Sequence, residues 1–177
     1  MKKIAVIYGS SRPSKVGESV ADWFMGEVEA PEGVELEAVN LGELGLPMVA
    51  DPMPPMMGEY KLDSTKKWSE QVSSYDGFVV MPAEYNHSFT PILKNAFDTL
   101  YAEWGGKPLA FVSYSGDEER RAVTALMPVM ETLKVSVVDK STHISGIFDG
   151  MTKDGGLDVS KAQVGGDSPQ EVLEAVC

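Results

Sequence analysis

The feature that most constrains the fold is an alternation of short apolar runs with longer segments of helical periodicity. The runs at residues 4–8, 78–81 and 109–112 lack alternating polar positions, which predicts buried strands, and residues 135–138 predict a further strand. The helical stripes between them are Val16, Val20, Phe24 and Val28; Trp68, Val72 and Tyr75; Leu93, Ala96, Phe97, Leu100, Tyr101 and Trp104; and Ala122, Leu126, Val129, Met130 and Leu133. This order predicts an α/β fold, a doubly wound parallel sheet with helices on both faces.

Residues 34–39 differ from the other apolar runs because apolar and charged side chains alternate there. Such alternation is typical of a strand that meets solvent, so we expect this strand at the edge of the sheet. The stretch 48–57 contains three prolines and several methionines and predicts an irregular crossover loop or, as an alternative, a cover for a ligand or partner.

The charge balance excludes several classes of partner. The formal net charge is −12, and no basic run exceeds two residues, so nucleic acid and anionic membrane surfaces are not expected partners. No apolar stretch approaches the roughly 20 residues that span a bilayer, and we expect a cytoplasmic protein. The single cysteine, Cys177, and two histidines predict neither an intramolecular disulfide nor a metal site.

The loop after the first predicted strand, residues 9–17, has the composition of a phosphate-binding turn. Its small residues allow close backbone approach, its hydroxyls donate hydrogen bonds, and Arg12 and Lys15 add positive charge before a helix N-terminus. It is neither a GxGxxG fingerprint nor a Walker A loop. The alternative is a Gly/Ser-rich turn that binds nothing.

The loop after the third predicted strand, residues 82–91, offers an aromatic ring and an amide beside the strand end. Thr90 before Pro91 predicts the N-cap and first position of the third helix. His87 is a candidate proton donor, but a loop histidine beside a cap more often has a structural role, so no catalytic side chain is predicted. Residues 149–177 are rich in Gly and Asp and predict an extended C-terminal tail, in which Ser168 to Glu171 matches a capping box for a short helix over 168–176.

Three of these segments, taken in order, resemble the NADPH-dependent FMN reductase family of flavodoxin-like proteins. They are GSSRPSKVGESVADW at 9–23, AEYNHSFTPILKNAFD at 83–98 and EWGGKPLAFVSYSG at 103–116. The resemblance covers roughly residues 1–148, which we predict as one FMN-binding domain followed by the tail 149–177. It implies a single-domain flavodoxin-like sheet of five parallel strands in the order 2-1-3-4-5.

The resemblance also implies the residues that hold the cofactor. Those matching the family's FMN phosphate segment are Ser10, Arg12, Lys15, Val16 and Gly17; those matching its isoalloxazine loop are Ala83, Glu84, Tyr85 and Asn86; and those near the pyrimidine end are Ser113 and Gly116. Ala83 stands where many members have proline. Residues 115–121 replace a glycine-rich stretch and are one residue shorter. The three acids at 117–119 are either the solvated first turn of the fourth helix or groups that face the flavin and lower its potential.

The function implied is an FMN-dependent NAD(P)H oxidoreductase that uses NADPH or NADH and reduces a quinone, an azo compound, a metal oxyanion or a free flavin. Hydride transfer between stacked rings needs no side-chain base. The family resemblance implies a homodimer or homotetramer, for which the methionines of 48–57 and Trp104 offer exposed apolar groups. Two alternatives remain: an electron carrier without NAD(P)H activity, docking on a basic partner, and an interaction module that has lost its flavin.

Overall fold

Five parallel strands form the centre of the protein in this computed structural model, which describes residues 1–13 and 16–177. The strands are β1 Lys2–Tyr8, β2 Val34–Asn40, β3 Gly77–Met81, β4 Pro108–Tyr114 and β5 Ser136–Ser145. They are arranged in the order β2-β1-β3-β4-β5, and all four neighbouring pairs are parallel. The predicted order is confirmed, and so is the edge position of β2.

A sixth strand extends the sheet at the edge opposite β2. β6, residues Gln163–Gly166, pairs antiparallel with β5. In this pairing Thr142 lies opposite Gly166, and Ser145 lies opposite Gln163. The sequence did not predict this strand, because it is short, half glycine and exposed throughout, and therefore carries no apolar periodicity.

The described residues form six helices that flank the sheet. They are α1 Val16–Glu27, α2 Asp63–Ser73, α3 Pro91–Asp98, α4 Arg121–Thr132, α5 Ile147–Gly150 and α6 Pro169–Val176, with 3-10 turns at Pro55–Met57, Ala102–Trp104 and Val159–Lys161. α3 begins where the sequence predicts, because the Thr90 hydroxyl accepts a hydrogen bond from Leu93 N (3.4 Å) and Pro91 occupies the first position. Among the helices that the structure describes, none has the length and apolar character needed to cross a bilayer.

Alternating strand residues divide the core into two layers. Ile4 and Val6 of β1 pack against α1 and α6, whereas Ala5 and Ile7 pack against the side of α2, α3 and α4. A strand places successive side chains on opposite faces, so a sheet covered on both sides needs the unbroken apolar runs seen in the sequence.

The predicted position of Trp104 is wrong. α3 ends at Asp98, and Trp104 lies in the 3-10 turn Ala102–Trp104. Its indole is 1% exposed and packs in the core, with its ring centroid 4.8 Å from that of Phe97 and 5.1 Å from that of Phe78. The helical spacing of 93–104 reflects burial on the same side of the molecule rather than one continuous helix. Trp104 is therefore a core residue and offers no exposed surface.

The C-terminal segment 149–177 packs on the sheet. α6 carries the expected capping box. The Ser168 hydroxyl accepts a hydrogen bond from the Glu171 backbone N–H, and the Glu171 carboxylate accepts one from the Ser168 backbone N–H. Its Val172, Leu173 and Val176 are fully buried in the layer that contains α1. Since burying an aliphatic side chain contributes about 1.5–3 kcal/mol, α6 is a substantial part of the core.

Candidate functional site

A cavity of about 300 Å³ opens at the carboxyl ends of β1, β3 and β4, the position at which open parallel sheets bind ligands. The loops that follow these three strands supply most of its wall, and the segment after β5 supplies the rest. The lining residues are Ser10, Arg12, Val16, Gly17, Ala83, Glu84, Tyr85, His87, Tyr114, Ser115, Gly116, Asp117, Arg121, Ile147, Phe148 and Met151.

The loop after β1 brings hydrogen-bond donors and a cation to one end of the cavity. Ser10 Oγ accepts from Arg12 N (3.1 Å) and hydrogen-bonds the Tyr85 hydroxyl, which joins this loop to the next. Arg12 is exposed, and within residues 1–13 and 16–177 its guanidinium has no hydrogen-bond or ion-pair partner. The N-terminus of α1 follows at Val16. Lys15, predicted to act here, lies outside the described residues.

A second cavity of about 460 Å³ lies on the other side of this loop and shares Arg12 with the first. Its wall includes Glu18 and Glu43. Burial, followed by the negative charges of Glu18, Glu43 and Asp22, raises the pKa of Tyr8, which lines the same wall. These acids make that side less favourable for a dianionic group, whereas the acids of the first cavity, Glu84 and Asp117, are paired with Arg121.

The loop after β3 is a tight antiparallel hairpin of Glu84–Tyr85 with Ser88–Phe89. Its two central residues, Asn86 and His87, have positive φ of 49° and 64°, the geometry of a type I′ turn, in which asparagine is favoured. The hairpin directs Tyr85 towards the cavity and places Asn86 at the exposed turn. Asn86 therefore does not line the cavity, whereas Ala83, Glu84 and Tyr85 do.

A buried histidine of β5, which the sequence analysis did not identify as a site residue, anchors the loop after β4. His143 of β5 is 5% exposed; its Nδ1 lies 2.8 Å from Ser113 Oγ and its Nε2 lies 3.1 Å from the Asp117 carbonyl. A carbonyl only accepts, so this network assigns the proton to Nε2, and the Ser113 hydroxyl donates to Nδ1. Ser113, a predicted site residue, thus lies beneath the loop and does not line the cavity, whereas Gly116 does.

Arg121, at the first position of α4, connects the loops after β3 and β4. Its Nη1 donates to Asp117 (2.8 and 3.1 Å) and to Glu84 (3.4 Å), and its Nε lies 3.7 Å from Glu119. The hydrogen bonds from Arg121, then that from Glu119 N, lower the pKa of Asp117. The acids precede the helix rather than forming its first turn. Of the three, Asp117 lines the cavity, with its charge paired.

Several lining residues were not predicted. Tyr114 is the last residue of β4 and Ser115 follows it. Because ligands bind at the carboxyl ends of parallel strands, both residues could have been predicted from their positions. The Tyr114 hydroxyl is buried, which raises its pKa. Ile147, Phe148 and Met151 had no sequence signal, because they lie where the family resemblance ends.

The cavity wall carries two kinds of group. The Arg12 guanidinium, the Ser10 hydroxyl and the N-terminus of α1 are donors of the kind that bind a phosphate. Tyr85, whose hydroxyl bonds Ser10, and Tyr114 add aromatic rings, and with the loop backbones they suit the face and edge of a flat heterocycle. Among the described residues, no group of three or more His, Cys, Asp or Glu side chains is placed to hold a metal ion.

Comparison with known proteins agrees with this geometry. The sequence model of the family described as NADPH-dependent FMN reductase matches residues 2–149. An NAD(P)H-dependent FMN reductase of Schizosaccharomyces pombe is 39% identical over 138 residues, which cover 76% of this chain and 68% of the relative. An NAD(P)H-dependent FMN reductase of Nectria sp. is 30% identical over 192 aligned positions, with 99% of this chain and 94% of the relative covered.

Among solved structures, the flavoenzyme NAD(P)H:(acceptor) oxidoreductase FerB of Paracoccus denitrificans superposes with a TM-score of 0.61 at 19% identity, covering 89% of this chain and 86% of that one. This likeness supports the fold. The predicted family and flavodoxin-like architecture are confirmed. The chain belongs to the NADPH-dependent FMN reductase family.

Proposed function

We propose that this protein is an FMN-dependent NAD(P)H oxidoreductase that delivers electrons to a small-molecule acceptor. The observation that carries the proposal is the convergence of the loops after β1, β3 and β4 on one cavity, whose wall combines phosphate donors with aromatic side chains. Family membership supports the same reaction class.

The residues of the cavity fit FMN. Arg12 has a guanidinium without a partner among the described residues, and Ser10 lies beside it at the N-terminal end of α1. Gly17 lets α1 approach Tyr114 closely, because a Cβ built there would lie 3.1 Å from the Tyr114 hydroxyl. A charge-assisted hydrogen bond contributes about 1.5–3 kcal/mol, enough to offset a diffuse field from distant, screened acids.

The proposed roles of the site residues follow their positions. Ser10, Arg12, Val16 and Gly17 would hold the phosphate, and Ala83, Glu84, Tyr85 and Gly116 would lie along the ring system. Lys15, which lies outside the described residues, would join the phosphate group by the family resemblance alone. Asn86 and Ser113 would act indirectly, Asn86 by shaping the hairpin turn and Ser113 by anchoring the loop after β4 through His143.

When bound, FMN supplies the redox chemistry: it takes a hydride from the nicotinamide and passes two electrons, with protons exchanged with solvent, to the acceptor. The protein's own residues bind and orient. The Ser10–Tyr85 hydrogen bond fixes the first two loops relative to each other, and Arg121 fixes the second to the third through Glu84 and Asp117. Hydride transfer between two stacked rings requires correct positioning of the rings and exclusion of water, and it does not require a side-chain base.

The higher organisation is part of the proposal. We propose that residues 1–148 form the FMN-binding domain, that 149–177 complete it, and that the protein is a cytoplasmic homodimer or homotetramer. Met48, Met56 and Met57 are each exposed on the crossover loop, and exposed apolar side chains there support such an association. Sedimentation velocity is the test, and a monomer at micromolar concentration would contradict it.

Purification with an absorbance spectrum, followed by FMN titration and NAD(P)H oxidation assays with several acceptors, tests the function. We expect near-stoichiometric FMN binding and oxidation of NADPH or NADH that depends on FMN and on acceptor. A protein that binds FMN but oxidises neither nucleotide would be an electron carrier. A protein that takes up no FMN would be an interaction module.

A further inference from the structure

The segment after β5 crosses the mouth of the cavity and returns to α1. It leaves β5 at Ser145, and Ile147 N donates to Ser115 O (3.3 Å) in the loop after β4. It closes a loop at Gly150, whose carbonyl accepts from Asp158 N (2.8 Å), and it reaches α1 where Leu157 N donates to Ser19 Oγ (3.0 Å). Hydrogen bonds at both ends, one to the backbone of Ser115 and one to the side chain of Ser19, therefore hold this crossing segment, residues 146–157, against the cavity.

The crossing segment presents apolar side chains to solvent at the cavity rim. Phe148 is 71% exposed and Met151 is 47% exposed, and both line the cavity together with Ile147. The Phe148 ring lies against the backbone of Gly116, since a Cβ built on Gly116 would be 2.3 Å from Phe148 Cε2. Exposed apolar groups gathered beside a pocket mark a binding surface, whereas isolated ones need no explanation.

The remainder of the mouth is polar and charged. Arg121 is paired with Asp117 and Glu84, and Glu118 and Glu119 are exposed beside them. With a protein charge of −12, an uncharged acceptor approaches this mouth without the long-range repulsion that an anionic acceptor meets. An aromatic ring on the rim adds affinity for another flat ring in an offset or edge-to-face arrangement.

We propose that Phe148, supported by Met151, is the specificity-determining residue for the acceptor and selects flat, uncharged aromatic molecules of the naphthoquinone type. This inference rests on the proposed function, because the acceptor must enter the cavity that holds FMN. The backbone of Gly116 supports one face of the ring, and the rest of the ring is available to contact the acceptor.

The test is binding of a redox-inert probe, 1,4-dimethoxynaphthalene, to the FMN-loaded protein by isothermal titration calorimetry. We compare wild type, Phe148→Ala, Phe148→Leu and Met127→Ala, the last a matched control because Met127 is exposed on α4 and does not line the cavity. We expect the Kd to rise about five- to tenfold in Phe148→Ala and less in Phe148→Leu, and to stay unchanged in the control. Phe148 is largely exposed, so its removal leaves no core cavity.

Steady-state kinetics give a second readout. In Phe148→Ala the KM for menadione should rise by a similar factor, and by more than the KM for NADPH or the KM for ferricyanide, which has no aromatic ring. An unchanged probe Kd, or an equal loss with menadione and ferricyanide, overturns the inference. So does a rise in the KM for NADPH equal to that for menadione, or tighter FMN binding in the variant, which would mean that the ring competes with the flavin. A wild type that binds no FMN overturns the proposed function as well.

Discussion

Arg12 carries the phosphate end of the site. It is the only arginine in the loop after β1, and its guanidinium makes no hydrogen bond or ion pair with the part of the chain that the structure describes. We expect Arg12→Ala to raise the Kd for FMN about 10- to 100-fold, the equivalent of one lost charge-assisted hydrogen bond. Quenching of flavin fluorescence measures this. Lys66→Ala, which removes the same charge from exposed α2, should leave the Kd unchanged; equal values for all three proteins would refute the phosphate assignment.

Asp117 gives the loop after β4 a dependence on pH. Its pKa lies below the ordinary value of about 3.9, mainly because Arg121 donates to its carboxylate. A lowered folded-state pKa means that the pair's stabilisation is complete above the ordinary pKa and disappears as pH falls through the folded-state value. Below about pH 4 wild type should therefore lose stability more steeply than Asp117→Asn.

Urea unfolding of the two apoproteins between pH 7 and pH 3 measures this difference. Other carboxylates with lowered pKa, such as Asp167 beside Lys140, destabilise both proteins equally in acid, so the comparison isolates Asp117. Parallel stability curves for wild type and variant would show that the Arg121 pair contributes nothing.

At the scale of elements, His143 fastens the loop after β4 to β5. Replacing it with leucine leaves the Ser113 hydroxyl and the Asp117 carbonyl without this partner, which should lower the free energy of unfolding by about 1–3 kcal/mol and weaken FMN binding several-fold. His143→Gln keeps one donor and one acceptor and should recover part of the FMN affinity.

A buried control separates positioning from general destabilisation. Thr99→Val removes the hydrogen bond from Thr99 Oγ1 to Asn95 O (2.6 Å), away from the cavity, and should lower stability with no change in FMN affinity. If His143→Leu is as destabilised as Thr99→Val and binds FMN as well as wild type, His143 does not position the loop.

The elements also show how far sequence reasoning reaches. Strands, their order, the start of α3 and the loops at the strand ends followed from periodicity, capping and family motifs, which are encoded in neighbouring residues. The His143–Ser113 bond joins positions 30 apart and the Leu157–Ser19 bond joins positions 138 apart. Hydrogen bonds between such distant positions depend on how the whole chain folds, so they cannot be predicted from a local pattern in a single sequence. The apolar rim at Phe148 was missed for the same reason.

For the whole molecule, the C-terminal segment completes the domain on the face of α1. Leu173 is fully buried, and Leu173→Ala should lower the free energy of unfolding by about 2–5 kcal/mol, a large fraction of the 5–15 kcal/mol typical of a domain. Val164→Ala, on exposed β6, should change it by less than about 0.5 kcal/mol. Urea denaturation distinguishes them. A chain ending at residue 148 should fail to unfold cooperatively; a sharp transition in it would show that residues 1–148 are self-sufficient.

Although the net charge of the protein is −12, positively charged side chains lie at the candidate site. The phosphate end offers a guanidinium with no described partner, and the acids of the third loop are opposed by Arg121. A dianionic cofactor is thus tolerated at one place on an otherwise acidic molecule.

The most direct test of this account follows the visible flavin absorbance of the FMN-loaded protein under anaerobic conditions. Addition of NADPH or NADH should bleach the absorbance of the bound flavin, and menadione should then restore it while one equivalent of nicotinamide remains oxidised. A protein that stays colourless after incubation with FMN, or a bound flavin that neither nucleotide bleaches, would contradict the assignment of this chain as an FMN-dependent NAD(P)H oxidoreductase.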